Sequence, residues 1–245
     1  MKIIIIRHAE PNYEIDGLTE KGSREAELLS HRLVKENITK VYCSTMGRAK
    51  LTIKPTLDKL GITAEYCDWL REFDKAQVAL PYLQGRKEKA CWDILPEYIN
   101  SEVPDIYSID GWKSSKLTKN TSVQECYYNV ITEFDKVLEA HGYHRHGTMY
   151  KAVKPNHDTL VFTCHMGLSC VLMSHLLNCS PFSLLQHCVM LPSSVTTFYT
   201  EERREGIAHF RACGIGDVSH LYIADEEPSF SARFCECYTD DTRHD

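Results

Sequence analysis

The chain begins with a run of four isoleucines, at positions 3–6, that passes directly into Arg7 and His8. So many β-branched apolar residues in succession indicate a strand buried on both faces, as in a sheet covered by helices on each side. Ligands of such α/β sheets bind beyond the carboxyl ends of the strands. We therefore expect Arg7 and His8 at a ligand-binding edge, where a guanidinium fork beside an imidazole suits an anion, phosphate most of all.

The composition of the chain narrows the class of protein. With 245 residues, 43% hydrophobic and 25% charged, the chain can bury the core of one folded domain with an insertion. The formal net charge of −6 and the lack of a basic stripe argue against nucleic acid as a partner. No apolar stretch approaches the roughly 20 residues that span a bilayer, so no membrane association is expected.

The cysteines indicate the cellular compartment. There are eleven of them, an odd number without the regular spacing of a disulfide framework. The N-terminal apolar run passes into charged residues too soon to be a signal peptide. These features predict reduced thiols and a cytoplasmic protein.

Hydrophobic periodicity predicts helices that alternate with short strands. In chain order the expected elements are a helix from Thr19 to about Asn37, a strand at 40–44, a helix from Thr45 to Gly61, a strand at 63–66, a helix at 121–140, a strand at 159–164, a helix at 168–177, and strands at 194–200 and 207–212. Pro55 should kink or interrupt the second helix. Residues 73–120 lack periodicity and are interpreted as a partly helical insertion over the strand ends, and residues 141–158 as a polar loop.

This pattern predicts the fold class and the domain organisation. Helices that alternate with apolar strands form a three-layer α/β sandwich, in which a mostly parallel central sheet carries helices on both faces. We expect residues 1–245 to form a single domain, with the insertion as a cap at about 73–120. Three of the predicted strands end in polar or titratable residues, at His8, at residues 44–48 and at His165.

Five motifs at these strand ends and helix starts carry a family resemblance. They are Arg7-His8-Ala9-Glu10, Leu18-Thr19-Glu20-Lys21-Gly22, Ser44-Thr45-Met46-Gly47-Arg48-Ala49-Lys50-Leu51-Thr52, Leu70-Arg71-Glu72 and His165-Met166-Gly167. In this order and spacing the chain resembles the histidine phosphatase superfamily, also called phosphoglycerate mutase-like, and its phosphatase branch in particular. The resemblance covers about residues 1–72 and 121–200 and leaves the insertion uncovered.

The resemblance implies a role for each of the motif residues. His8 would be the nucleophile that forms a phosphohistidine, and Arg7 and Arg48 would bind the phosphoryl oxygens. His165, if protonated, would supply a third positive donor. Glu72 would be the general acid that protonates the leaving group, with Asp74 as the alternative acid. Such a site is expected to need no metal ion and no other cofactor, because phosphoryl transfer depends mainly on positioning and charge stabilisation.

The chain departs from the family pattern at several positions. Ala9 and Met166 stand where glycine is usual, and Thr45 where proline or serine is frequent. Many members carry an asparagine at the position of Glu14, and here Asn12 is the candidate to replace it as a phosphate ligand. The glycine-rich run that follows the acid in phosphoglycerate mutases is absent after Glu72.

The expected function is therefore hydrolysis of a small phosphomonoester through a phosphohistidine on His8. Three alternatives stay open: a phosphoglycerate mutase-type phosphotransferase, a non-catalytic phosphate-binding relative, and a metal-dependent hydrolase. The histidines of residues 141–158 lack tight metal-ligand spacing, so no metal site is expected among them.

Overall fold

The computed structural model describes residues 1–82 and 88–243. Its strands are β1 (Lys2–Arg7), β2 (Pro11–Asn12), β3 (Gly17–Leu18), β4 (Lys40–Ser44), β5 (Ala64–Cys67), β6 (Gln77–Ala79), β7 (Glu88–Ala90), β8 (Tyr143–His146), β9 (Met149–Ala152), β10 (Thr159–Cys164), β11 (Val195–Arg204) and β12 (Ile207–Asp217). Its α-helices are α1 (Glu20–Leu33), α2 (Gly47–Leu60), α3 (Pro96–Glu102), α4 (Gly111–Ser114), α5 (Val123–Ala140), α6 (Met166–Leu177), α7 (Pro181–Leu185) and α8 (Ser219–Tyr222). Short 3-10 turns lie at Asp68–Leu70, Phe73–Lys75, Pro104–Tyr107 and Asp241–Arg243.

The central sheet has eight strands in the order β5-β4-β10-β1-β11-β12-β9-β8. Strands β5, β4, β10 and β1 run parallel to one another. From β1 onward each pairing is antiparallel, and short turns join β11 to β12 and β8 to β9. The predicted α/β fold is confirmed, but its sheet is mixed rather than mostly parallel. The carboxyl ends of β1, β10 and β4 meet at one edge of its parallel half.

The isoleucines of β1 place this strand in the middle of the core. All four are at most 1% exposed, and their side chains alternate between the two faces of the sheet. Ile4 and Ile6 pack in one apolar cluster with α1 and α2, whereas Ile3 and Ile5 pack in a second cluster with α5 and α6. Burial of each side chain contributes about 1.5–3 kcal/mol, which holds the strand that carries Arg7 and His8 rigidly in place.

Most predicted elements are present, and several differ in their bounds or continuity. The first helix ends at Leu33, before the expected Asn37. The predicted interruption at Pro55 is wrong, because α2 continues to Leu60 and the packing of its buried face outweighs the lost hydrogen bond. Gly61 ends the helix as predicted, with φ 64°.

The segment expected as a polar loop at 141–158 contains the hairpin β8–β9, which extends the sheet beyond β12. Alternate residues of β9 are buried, Tyr150 and Ala152 among them. Two inward-facing residues are too few for the sequence pattern to indicate a strand, and they suffice once β12 provides an edge to pair with.

The insertion at 73–120 is partly helical, as predicted. It comprises a 3-10 turn, the hairpin β6–β7, α3, a second 3-10 turn and α4, and residues 83–87 of it lie outside the described residues. Its Trp112 is 1% exposed and lies against Tyr127 and Phe182. The insertion therefore packs into the same apolar cluster as Ile3 and Ile5. Among the described residues no helix combines the length and the hydropathy needed to cross a bilayer.

Candidate active site

The edge formed by β1, β10 and β4 brings together the residues that follow these strands. His8 and His165 lie with their ring centroids 5.0 Å apart. The backbone N–H of His8 donates to the carbonyl of Cys164, at 2.9 Å, so the nucleophile candidate is tied to the end of β10. Arg7, His8, Arg48 and His165 are each at most 7% exposed. The parallel register thus assembles a buried cluster from distant parts of the sequence.

Hydrogen bonds fix the tautomer of His8. Its Nδ1 lies 2.8 Å from the carbonyl oxygen of Ala9, which can only accept, so Nδ1 carries the proton. Nε2 accepts from Nε of Arg48, at 3.3 Å. Burial, and then the positive charges of Arg7 and Arg48, hold the pKa of His8 well below its ordinary value. His8 is therefore a neutral imidazole whose Nε2 lone pair faces the cations.

Each arginine is held by the protein through one end of its guanidinium group. Nη1 of Arg7 donates to the carbonyl of Met190, at 2.5 Å, and Nη1 of Arg48 donates to Oδ1 of Asp16, at 2.7 Å. In Arg7 the buried Nε has no partner among the described residues. In Arg48 the Nε is the group that faces His8. Arg7 thus keeps the donor on its Nε for a ligand, whereas Nε of Arg48 is bound by His8 in this structure.

Asp16 is a site residue that the sequence did not reveal. Its Oδ2 accepts from the backbone N–H of Gly47 at 2.6 Å, while Oδ1 binds Arg48. Burial alone would raise the pKa of Asp16, but the hydrogen bonds from Gly47 and Arg48 lower it. A Cβ at Gly47 would lie 2.1 Å from the Asp16 carbonyl oxygen, so glycine is required there. The weak signal was an acidic residue two positions before the Leu18-Thr19 motif.

His165 is neutral in this environment. Its Nε2 lies 2.8 Å from Oγ of Ser44, and that hydroxyl also accepts from the N–H of Met46, at 3.3 Å. Burial lowers the pKa of His165 well below its ordinary value, and His8 and Arg48 lower it further. The role of His165 as a positive donor, expected if it is protonated, stays a prediction. If Ser44 donates to Nε2, Nδ1 carries the proton, and this buried Nδ1 has no partner among the described residues.

The carboxyl group of Glu72 lies against the N-terminus of α6, the helix that follows His165. Its Oε1 accepts from the backbone N–H of Phe73, at 2.8 Å, and of Leu168, at 3.1 Å. Burial raises the pKa of Glu72 above its ordinary value, against the opposing effect of these hydrogen bonds. A carboxyl group with a raised pKa can be protonated at a pH where an ordinary glutamate is ionised, as a general acid requires. The alternative acid, Asp74, is exposed in the next 3-10 turn.

Gly167 lets the insertion reach this part of the site. A Cβ at Gly167 would lie 2.6 Å from Cζ3 of Trp92 and 3.0 Å from Oε1 of Glu72. Because both side chains lie next to Gly167, the ring of Trp92, which belongs to the insertion, lies close to the candidate acid. Met166, which stands where the family has glycine, is buried and packs into the core.

Comparison with known proteins gives the family. A model of the histidine phosphatase superfamily, branch 1, matches residues 3–212 of the chain, including the insertion that the motifs left uncovered. The chain belongs to this superfamily. It is 25% identical over 236 residues to a probable phosphatase of Schizosaccharomyces pombe, a match that covers 90% of this chain and 95% of that protein.

Solved structures show the same fold at low sequence identity. A phosphoserine phosphatase from Entamoeba histolytica, in complex with 3-phosphoglyceric acid, is similar with a TM-score of 0.58 and 16% identity, over 90% of this chain and 98% of that one. A mycobacterial glucosyl-3-phosphoglycerate phosphatase is similar with a TM-score of 0.57 and 15% identity, over 88% and 98% of the two chains. The predicted family is confirmed, and the chain is a phosphatase of the histidine phosphatase superfamily.

Not every predicted site residue of this histidine phosphatase joins the cluster. Oδ1 of Asn12 accepts from the N–H of Glu14, at 3.1 Å, within its own loop. The described contacts of Asn12 include none with the histidines or arginines of the site, so its role as a phosphate ligand stays a prediction. No group of three or more His, Cys, Asp and Glu side chains within 1–82 and 88–243 is arranged to hold a metal ion.

The loop between α7 and β11 binds the backbone of the nucleophile candidate, His8. In this loop Ser193 has φ 58° and donates its N–H to the carbonyl of His8, at 3.1 Å. Its hydroxyl lies 3.1 Å from Nε2 of His220, which is 6% exposed on α8. Burial, helped by the charge of Arg32, lowers the pKa of His220 to about 4.

We expect His220 to make folding stability depend on pH. The unfolded chain binds a proton near pH 6.5, which the buried imidazole resists until about pH 4, so acid favours unfolding. Between pH 7 and pH 4 the free energy of unfolding should fall by about 3 kcal/mol through this group. In His220→Gln, the free energy of unfolding measured by urea denaturation should fall by about 3 kcal/mol less than in wild type over the same pH range. The exposed His31→Gln variant is the control, and an equal loss in His220→Gln and wild type would contradict the assignment.

Proposed function

We propose that the chain hydrolyses a small phosphorylated metabolite through a covalent phosphohistidine on His8. The observation that carries this proposal is the state of His8: a buried, neutral imidazole whose Nδ1–H is bound by Ala9 and whose Nε2 lone pair faces Arg48. A nucleophile of this kind needs no base to activate it.

In the first step Nε2 of His8 attacks the phosphorus atom, and the bond between phosphorus and the ester oxygen breaks. Arg7 and Arg48 offset the negative charge on the transferring oxygens. The carboxyl proton of Glu72 passes to the departing alkoxide, so the alcohol leaves neutral and Glu72 becomes a carboxylate. The imidazole gains positive charge as the new bond between nitrogen and phosphorus forms.

In the second step water attacks the phosphohistidine. Glu72 accepts a proton from the water, the bond between phosphorus and Nε2 breaks, and inorganic phosphate is released. His8 returns to the neutral form and Glu72 to its protonated form. One carboxyl group thus serves both steps, for which its raised pKa is suited.

The charge in this mechanism comes from the chain itself. The donors in the site are the two buried guanidinium groups and the Nδ1–H of His165, and this set favours a phosphoryl group as the ligand. We propose that catalysis is independent of metal ions and cofactors. We place Trp92, next to Glu72, beside the leaving group. The solved relatives that bind phosphoserine or 3-phosphoglyceric acid support a small-molecule substrate. The cytoplasmic location stays a prediction from composition.

The remaining alternatives fit the site less well. A binding module for phosphate gains nothing from Glu72, a carboxyl group whose burial costs free energy. A mutase needs a pocket that retains a bisphosphorylated intermediate, and the glycine-rich run typical of that activity is absent after Glu72. A coupled assay of phosphoglycerate isomerisation distinguishes the mutase from the phosphatase.

We expect His8→Ala to abolish hydrolysis of p-nitrophenyl phosphate, by about 10³-fold or more, because no other group can form the covalent intermediate. Wild type and variant are assayed from pH 4 to pH 8 with EDTA present, and EDTA should leave the wild-type rate unchanged. His144→Ala, at a surface histidine paired with Glu139, is the matched control and should keep wild-type activity. Substantial turnover by folded His8→Ala would remove His8 as the nucleophile, and loss of wild-type activity in EDTA would favour a metal-dependent hydrolase.

We expect the effect of Glu72→Gln to depend on the leaving group. An alkyl phosphate needs a proton as it departs, so its kcat/KM should fall by about 10²–10⁴-fold, whereas p-nitrophenolate departs with little help and kcat/KM should fall less than about tenfold. The ratio kcat/KM reports only the first phosphoryl transfer, so slow hydrolysis of the phosphoenzyme does not confuse the comparison. Asp74→Asn is measured in parallel. Equal losses on both esters, or a leaving-group effect in Asp74→Asn instead, would make the assignment of Glu72 wrong.

A further inference from the structure

Glu25 is a buried carboxylate that the mechanism does not yet use. It lies on α1 and is 0% exposed. None of the lysine, arginine or histidine side chains in the described part of the chain forms an ion pair with it. Lys21, whose charge acts on Glu25, binds the carboxylate of Glu226 and the carbonyl of Glu227 instead. A buried charge without a cation costs several kcal/mol, so its position needs a reason.

Both oxygens of Glu25 accept backbone N–H groups. Oε2 accepts from Glu10, at 2.8 Å, and Oε1 accepts from Ser229, at 3.2 Å. Two acceptor oxygens are the pattern of the ionised form, because a protonated carboxyl group would have to donate from one of them. Burial raises the pKa of Glu25 above its ordinary value, and the hydrogen bonds from Glu10 and Ser229 oppose this effect. The C-terminal segment around Ser229 thus contributes one of the two donors that favour the ionised form.

The hydrogen bond to Glu10 leads directly to the nucleophile. The N–H of Glu10 and the C=O of Ala9 belong to one peptide group and point in opposite directions along it. On one side this group donates to Glu25, and on the other its carbonyl accepts from Nδ1–H of His8, at 2.8 Å. The N–H of Ala9 is held separately by Oγ1 of Thr52, at 2.9 Å. A carboxylate, one peptide group and the imidazole therefore form a continuous hydrogen-bonded chain.

We propose that Glu25 is a positioning residue for His8, which acts through the peptide group between Ala9 and Glu10. This inference rests on the proposed role of His8 as nucleophile. The negative charge of Glu25 polarises the peptide group and strengthens the Ala9 carbonyl as an acceptor. The stronger acceptor holds His8 in the tautomer that exposes Nε2 and stabilises the positive charge that the ring gains during attack. The carboxylate of a Ser-His-Asp triad also orients its histidine and stabilises the positive charge on it, but does so by direct contact rather than through a peptide group.

The competing explanation is purely structural. Glu25 would then serve only to anchor the C-terminal segment, which also contacts the site loop through a hydrogen bond from the hydroxyl of Ser229 to the carboxylate of Glu10. A structural anchor would affect folding and the whole binding pocket. A positioning residue affects the attack by His8 and leaves phosphate binding by Arg7 and Arg48 unchanged.

Glu25→Gln separates these explanations, because it removes the charge and keeps the shape. Stopped-flow measurement of p-nitrophenolate release gives the rate of the first phosphoryl transfer, and competitive inhibition by inorganic phosphate gives the affinity of the pocket. We expect the transfer rate to fall roughly tenfold, the lower range for removal of a carboxylate that orients an active histidine. The inhibition constant of phosphate should change less than about twofold, since both arginines are intact. Glu27→Gln, the same change on an exposed position of α1, should match wild type in both measurements.

An unchanged transfer rate in folded Glu25→Gln would overturn the proposal, and so would a parallel tenfold loss of phosphate affinity. Should the variant not fold, amide resonances of the wild-type protein provide the test. The Glu10 amide proton should lie downfield and move further downfield when vanadate binds His8, and an ordinary position that vanadate leaves unchanged would contradict the inference. Failure of the proposed function is distinct, because the wild-type protein itself would then hydrolyse no p-nitrophenyl phosphate.

Discussion

The site depends on one electrostatic arrangement, a buried imidazole between two buried guanidinium groups. Burial and the two positive charges both disfavour the imidazolium form, so His8 is neutral and Nε2 keeps a lone pair, which accepts from Nε of Arg48. The same charges create a strong site for a dianion. Once a phosphoryl group is bound by the arginines, its negative charge offsets theirs. The positive charge that His8 gains on attack then costs less free energy. In the proposed mechanism the neutral nucleophile and the phosphate site are therefore two consequences of the same charges.

The fold supplies the rigidity that this arrangement needs. Four fully buried isoleucines fix β1, and the parallel pairing with β10 fixes the distance between His8 and His165. Acceptors of the protein hold each arginine by one end, Met190 for Arg7 and Asp16 for Arg48. Such fixed orientations reduce reorganisation during phosphoryl transfer, which is the main source of catalysis in sites of this type. The insertion adds Trp92 close to Glu72, where we propose that the leaving group lies.

The sequence predicted those elements and site residues that can be recognised from a short stretch of the chain. The isoleucine run, the strand ends and the motif order indicated which residues would meet, because parallel strands bring their carboxyl ends to one edge. The supporting residues Asp16, Glu25 and Ser229 were missed, since each acts through a contact with a distant segment and has an ordinary local sequence. The hairpin β8–β9 was missed for the same reason, because its partner β12 lies more than fifty residues away in the chain. The neutrality of His165 also follows from neighbours in space that no sequence pattern reports.

The proposed phosphohistidine on His8 can be tested by trapping it. Wild-type protein mixed with p-nitrophenyl phosphate is quenched in alkali within one turnover, digested and analysed by mass spectrometry with electron-based fragmentation. We expect one phosphoryl group on His8, stable in alkali and lost in acid, as for a phosphoramidate. A phosphoryl group on a serine, threonine or cysteine would contradict it. So would single-turnover release of inorganic phosphate, with inversion at a chiral phosphorus and no phosphoenzyme.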